Sequence, residues 1–243
     1  MPNLSIDEGV FSNYGEEAEY WCGILATEGN VYFPGGDTAP RIQYGAVDVK
    51  HVYKFRSFLK SEHKIAIRDW QRNKRISTAA VIGFTSHVIA EFLVQNGITP
   101  KKSLTLKVSD RLASSPHFWR GAIDGDGSIS IAKRYAQPGV MFTSGSFEFI
   151  KQFADFCANI GLRPKISNFH GADGSYNKAP HYRVGFGSGQ AIQLLKFLFT
   201  DATVWLDRKK VTVDQIFAQP IRQKRVYKVE KVAGVRIHLD AIN

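Results

Sequence analysis

Apolar residues recur along this chain with two periods. Residues 51–62 (HVYKFRSFLKSE), 86–97 (SHVIAEFLVQNG), 147–161 (FEFIKQFADFCANIG) and 191–200 (AIQLLKFLFT) place them three and four apart, the spacing of a helix with one buried face. Residues 64–72 (KIAIRDWQR), 76–84 (ISTAAVIGF), 128–134 (SISIAKR), 140–145 (VMFTSG), 164–170 (PKISNFH) and 181–189 (HYRVGFGSG) carry strand-like runs bounded by Gly, Pro or Asn. Residues 30–33 and 41–49 add a hairpin across the turn-rich PGGDTAP.

The order of these elements repeats once. EYWCGILATEGNVYF (19–33) and HFWRGAIDGDGSISI (117–131) both set an aromatic before Trp, Gly two residues on, an acid followed by Gly, and then a strand. Trp21 pairs with Trp119, Gly23 with Gly121, Glu28 with Asp126 and Gly29 with Gly127, every pair 98 residues apart. A long unit repeated once points to two homologous halves about a pseudo-two-fold axis, each reading α-β-β-α-β-β-α. The expected fold class is therefore α+β, with an N-terminal half over 1–100, a linker over 101–116, a C-terminal half over 117–218 and a basic tail over 219–243.

Each motif reads as a helix ending at its acid. Gly23 and Thr27, like Gly121 and Gly125, lie four apart and form a stripe of small residues along which two helices can cross closely. Gly29 and Gly127 suit the left-handed position that ends a helix. Glu28 and Asp126 then sit at helix C-termini, where the macrodipole disfavours a carboxylate. An acid there in both halves asks for a compensating cation, and a divalent metal such as Mg2+ would supply one. Two such carboxylates fit metal-assisted phosphodiester hydrolysis.

Composition narrows the field. Among 243 residues, 32 Lys and Arg against 22 Asp and Glu give a net charge of +10. That excess favours a polyanionic partner, although a merely basic globular protein remains open on charge alone. Apolar residues at 44% and charged residues at 22% exclude a disordered or collagen-like chain. No run approaches the roughly 20 apolar residues of a membrane span, and MPNLSIDEGVF lacks the charge and apolar core of a secretion signal. The expectation is an intracellular protein with no membrane partner: cytoplasmic if bacterial or phage-encoded, in the organelle matrix if organelle-encoded. Cys22 and Cys157 make neither a disulfide framework nor a zinc cluster and are expected as reduced core thiols.

WCGILATEG (21–29) and WRGAIDGDG (119–127) resemble the two LAGLIDADG motifs of single-chain homing endonucleases, and the similarity in element order spans roughly residues 17–217. The resemblance implies two curved antiparallel sheets backed by helices, joined through a two-helix interface, with concave faces in the DNA major groove. It implies that Glu28 and Asp126 bind Mg2+, and that a basic residue after the third helix of each half, aligned at Lys102 and Lys209, serves each centre. The earlier acid of the family motif is Ala26 in the first copy and Asp124 in the second. No catalytic role is carried to Asp124, which is expected to cap or orient local structure.

Strand alternation names the side chains of a DNA-facing surface. Arg41 and Gln43 oppose Ile42 and Tyr44; Lys64, Arg68, Trp70 and Arg72 oppose Ile65 and Ile67; Ser128, Ser130 and Arg134 oppose Ile129 and Ile131; His181 and Arg183 oppose Tyr182, Val184 and Phe186. Arg, Gln and Ser are base-reading residue types, while Lys74, Arg75 and the tail residues Arg222, Lys224 and Arg225 suit phosphates. Any half-solvated antiparallel sheet shows the same alternation. Trp205 and the aromatics of FEFIKQFADF are expected in the core, and the scattered histidines as ordinary side chains.

The function that follows from the resemblance is a monomeric, metal-dependent, site-specific endonuclease. It would cut both strands of a long asymmetric duplex to leave 3′ overhangs, as an intron-encoded or free-standing homing enzyme. The alternative is a non-cleaving nucleic-acid binder on the same fold, an intron RNA maturase or a transcriptional regulator. Retention of both motif acids favours the enzyme.

Overall fold

The computed structural model describes residues 5–35, 39–72, 75–132, 136–169, 181–219, 228–232 and 235–239. The N-terminal half runs α1 (Glu16–Thr27), β1 (Gly29–Tyr32), β2 (Arg41–Ala46), α2 (Val49–Phe58), β3 (Ala66–Arg72), β4 (Arg75–Thr85) and α3 (His87–Gln95). A 3-10 turn (Lys102–Leu104) and the short α4 (Asp110–Ala113) fill the connection. The second half runs α5 (Pro116–Asp126), β5 (Ser128–Ala132), β6 (Gln137–Ser144), α6 (Phe147–Asn159), β7 (Ile166–Phe169), β8 (His181–Gly187) and α7 (Ser188–Phe199). Then come α8 (Asp207–Ala218) and a separate hairpin of β9 (Lys228–Val232) with β10 (Val235–Leu239). The two αββαββα units of the α+β expectation are thus present. Helix α8 was not anticipated, because DRKKVTVDQIFA has only a weak apolar stripe.

Local chemistry explains the boundaries. Ser86, Ser115 and Ser146 accept from the amides of Ile89, Phe118 and Phe149 at the starts of α3, α5 and α6, and Pro116 occupies the first turn of α5. Glu16, Glu17 and Glu19 give α1 an acidic first turn. Helices α3 and α6 end in left-handed Gly97 and Gly161, at φ +84° and +82°. The amides of Ile98 and Leu162 reach back to the carbonyls of Leu93 and Cys157.

Both sheets are antiparallel and share one topology, β1-β2-β4-β3 and β5-β6-β8-β7. One face of each is buried: Ile42, Tyr44, Ala80, Ile82 and Phe84 in the first, Val140, Phe142, Val184 and Phe186 in the second. Trp21 packs on Phe55 at 4.9 Å between ring centres, as Trp119 does on Phe153 at 5.1 Å. Ile67 is 56% exposed, because β3 is an edge strand that overhangs this core. No helix among the described residues is long and apolar enough to cross a membrane, and Cys22 and Cys157 are buried.

The halves join where α1 crosses α5, backbone against backbone. A Cβ added at Gly23 would fall 2.1 Å from the carbonyl oxygen of Phe118, and one at Gly121 would fall 2.0 Å from that of Tyr20. Gly29 and Gly127 correct an expectation. Neither has positive φ, and Gly127 is extended (φ −77°, ψ 164°). They are glycines because the chain folds straight back over the last helical turn. A Cβ would lie 2.7 Å from the Leu25 or Ile123 carbonyl oxygen.

Gly121→Ala is expected to cost about 1–3 kcal/mol or more, because backbone cannot move aside. Gly185→Ala, whose Cβ would meet nothing nearer than 3.8 Å, should stay within about 0.5 kcal/mol. Urea unfolding of the two variants measures the difference, and equal midpoints would contradict a backbone-tight crossing.

Candidate nucleic-acid interface and paired acidic centre

The crossing fixes the acids. Glu28 follows the last turn of α1 and Asp126 closes α5, and both open to the solvated side of the sheets. The neighbouring backbones are so close that Glu28 Cγ lies 3.3 Å from where a Cβ of Gly125 would stand. Loss of hydration raises the pKa of each acid, and the charge of Asp126 raises that of Glu28 further. Two carboxylates that resist ionising together form a place where a cation gains.

The chain supplies the first such cations itself. Lys102, nearly buried on the 3-10 turn, donates to the carbonyl of Gly29 at 2.5 Å. Lys209, buried on α8, donates to the carbonyls of Ile123, Asp124 and Gly127 at 2.5, 2.7 and 2.7 Å. Lys209 occupies the negative end of α5 and Lys102 holds the first carbonyl of β1 just past α1, near where the sequence alone suggested a metal. Burial lowers both pKa values, Lys209 to about 8, while Asp126 and Glu28 hold them up. With the carbonyl of Gly125 at 3.5 Å, four carbonyls surround the three protons of Lys209, so it acts as a fixed ammonium. Among the described residues Lys102 makes one hydrogen bond, to Gly29.

Two cavities flank the acids. The larger, about 470 Å³, is lined by Glu28, Tyr44, Asp48, His51, Arg68, Asp124 and Arg208 together with small and apolar residues. The smaller, about 300 Å³, holds Asp126, Lys102, Thr27, Thr143, Ser144 and His181. Each centre therefore combines the last acid of one motif with the preceding residues of the other.

Asp124 and Arg120 point inward and organise the return of the chain. Asp124 Oδ2 accepts from Tyr20 Oη at 2.9 Å and from the Leu206 amide at 2.8 Å, and burial lifts its pKa to about 6. Arg120, 1% exposed, donates to the carbonyls of Leu198 and Val204 and to Glu16. Glu16 also accepts from the Thr203 amide. Sequence reasoning missed Arg120; its signal was an arginine in a motif position that holds Cys22 in the other copy. Helix α8 docks on the first half through Asp48–Arg208 at 2.8 Å and Lys54–Asp207 at 2.5 Å. His51 is 2% exposed and burial depresses its pKa to about 4. Trp205 is half-buried rather than core, with the ammonium groups of Lys54 and Lys210 above its ring.

The solvated face of each sheet carries most of the sequence-named residues. Arg41 is exposed and its guanidinium lies across Gly83, 3.2 Å from where a Cβ would be; Gln43 is half-buried beside it. Register places Tyr32, Arg41 and Thr85 in one row across β1, β2 and β4, and Asn30, Gln43 and Gly83 in the next. Arg68 is exposed on β3 at the larger cavity, and Lys64 is exposed just before that strand. Ser128 and Ser130 are exposed on β5; His181 and Arg183 are half-buried on β8, where Arg183 donates to Ser167 at 3.1 Å. Trp70, Arg72 and Arg75 lie in β3 and β4, with side chains outside the described set. Lys74, Arg134, Arg222, Lys224 and Arg225 lie outside the described residues.

Residues 116–197 match the family model described as a LAGLIDADG-like domain. Among solved structures the chain is similar to the homing endonuclease I-WcaI bound to its DNA recognition sequence, at 8% identity and TM-score 0.58, covering 85% of this chain and 91% of that one. It is also similar to a variant of I-SmaMI, at 10% identity and TM-score 0.53, covering 81% and 88%. A variant of I-DmoI in complex with nicked target DNA and manganese matches at 15% identity and TM-score 0.51, covering 81% and 98%. A search of curated protein sequences gives no match. The C-terminal half is thus similar to a LAGLIDADG-like domain over residues 116–197, and the chain as a whole has the fold of single-chain homing endonucleases.

Lys209→Met removes a donor shared by four carbonyls around the end of α5 and is expected to cost on the order of 3 kcal/mol, against about 1 kcal/mol for Lys102→Met, by urea unfolding. Equal losses would mean that the two caps carry the same load. A pH effect follows from His51. The unfolded chain takes up its proton near pH 6.5, but the folded chain refuses it until about 4. Stability present above pH 6.5 is lost as pH falls toward 4, by roughly 3 kcal/mol in all. Asp124 acts with the opposite sign between about 6 and 3.8, gaining stability as pH falls. Comparison with His51→Phe isolates the histidine: wild type should weaken more steeply than the variant between pH 7 and 4.5, and parallel curves would contradict a buried neutral imidazole.

Proposed function

We propose that this chain, with the fold of LAGLIDADG homing endonucleases, is a site-specific double-strand DNA endonuclease that acts as a monomer with internal pseudo-two-fold symmetry. The observation that carries the proposal is the convergence of Glu28 and Asp126, at the ends of two helices in backbone contact, between two sheets with polar open faces. A net charge of +10 suits a polyanionic duplex.

The residues fit a divalent metal. Among the described residues no group of three or more His, Cys, Asp or Glu gathers, so the protein donors are the two carboxylates. Hard oxygen donors, few in number and completed by phosphate and water, suit Mg2+. When bound, the metal would polarise the scissile phosphates and lower the pKa of attacking water. Glu28 and Asp126 would hold it. Lys102, in the cavity it shares with Asp126, would stabilise charge on the phosphate at that centre, and Arg208 would do so beside Glu28. Arg41, Gln43, Arg68, Ser128, Ser130, His181 and Arg183 would face the grooves. Cutting on both strands with 3′ overhangs, intron-linked homing and an intracellular site belong to the same proposal.

The test selects bound duplexes from a randomised pool in EDTA, adds Mg2+ and resolves each strand on denaturing gels. Metal-dependent double-strand cutting is expected. Glu28→Gln and Asp126→Asn should each lower it by about a hundredfold or more while retaining salt-sensitive binding. Binding without cutting by the wild type would favour the non-cleaving alternative; cutting that survives both substitutions would remove the acids from the mechanism.

A further inference from the structure

Beneath the larger cavity a buried chain of side chains crosses between the halves. Tyr44 Oη meets His51 Nδ1 at 2.6 Å, His51 Nε2 meets Tyr20 Oη at 2.8 Å, and Tyr20 donates to Asp124 Oδ2 at 2.9 Å. The residues 98 positions away are Phe142, Phe149, Phe118 and Ala26, so all four polar positions of this cluster are apolar in its counterpart. The shape is conserved between the two clusters. Ring centres lie 5.9 Å apart for Tyr20–His51 and 6.1 Å for Phe118–Phe149, and 5.9 Å for Tyr44–His51 against 5.6 Å for Phe142–Phe149.

The same molecule thus shows that this space can be filled without polar atoms. A buried polar network is the costlier solution, and Asp124 Oδ1 is buried without a hydrogen-bond partner among the described residues. What the network adds is a fixed acceptor. Asp124 Oδ2 takes the amide of Leu206, the residue that opens α8, and the three groups behind it restrict where that oxygen can lie. Two and three residues on, Arg208 reaches the Glu28 cavity and Lys209 caps α5. Ala26 offers no such acceptor to the connection that carries Lys102.

We infer that Tyr44, His51, Tyr20 and Asp124 are positioning residues that set the start of α8, and through it Arg208 at the Glu28 cavity and Lys209 at the end of α5, with no counterpart on the connection that carries Lys102, so that the two centres are unequal by construction. The inference rests on the nuclease proposal for its consequence but not for its geometry.

The decisive variant copies the second half into the first: Tyr20→Phe, Tyr44→Phe, His51→Phe and Asp124→Ala together. Its urea midpoint should stay close to that of wild type, the unpaired Leu206 amide offsetting the gain from an apolar cluster. Hydrogen exchange in residues 203–210 should accelerate by about tenfold or more, with residues 99–107 unchanged. On the duplex recovered above, the ratio of the two strands' cutting rates should shift on the order of tenfold. Asp124→Asn, which retains an acceptor for Leu206, should restore slow exchange that Asp124→Ala loses, and this pair decides the matter if the fourfold variant does not fold. Unchanged exchange at 203–210, or an equal loss on both strands with a lowered midpoint, would overturn the inference. If wild type cuts neither strand, the nuclease proposal fails while exchange at 203–210 still tests the positioning.

Discussion

The contact between Gly23 and Gly121 is the constraint on which the rest depends. Side chains elsewhere can adjust by rotamer, but carbonyls about 2 Å from a hypothetical Cβ leave no adjustable part. The crossing sets the separation of α1 and α5, and hence the separation of the acids that end them. It also dictates where each sheet starts, because β1 and β5 leave the motif helices through Gly29 and Gly127 without an intervening loop. A half-turn of slack at this point would move acids, sheets and cavities together.

Much of this was legible beforehand because it is periodic. The 98-residue repeat and the Gly-x-x-x-small spacing fixed the architecture, the helix pairing and the placement of Glu28 and Asp126. The sequence was silent where tertiary contacts override local pattern. Helix α8 has a broken apolar stripe, and its docking relies on Asp48, Lys54 and Asp124, each remote in the chain. Lys102 and Lys209 were recognisable as an aligned basic pair, but nothing local revealed that one meets a single carbonyl and the other four. The glycines after the acids were named correctly and explained wrongly, since sequence cannot separate a steric need for glycine from a dihedral one.

Departures from symmetry carry as much information as the repeat. Where the halves agree, in the Trp21 and Trp119 clusters, the shared residues make core. Where they disagree in a coordinated way, a single random substitution is a poor account, because one polar residue alone in either cluster would lack a partner. Tyr20, Tyr44 and His51 are mutually satisfied only with Asp124, which comes from the opposite motif. The polar character of the first half is therefore a property of both halves together.

Helix-end electrostatics shows how two adjacent carboxylates can stay folded without a bound cation. A carboxylate at a helix C-terminus faces the carbonyl dipoles, and a second carboxylate alongside adds repulsion. Lys209 offsets the dipole of α5 by binding its carbonyls, and Lys102 binds the Gly29 carbonyl just past α1, rather than the acids. The positive charge thus sits beside the helix ends while, among the described residues, neither carboxylate forms a direct ion pair. Had the lysines bonded the carboxylates instead, each acid would be quenched and a metal would need to displace a buried ammonium. The observed division leaves two under-compensated oxygens at the meeting of two polar faces, which is where a polyanion bringing its own divalent cations would lower the free energy most.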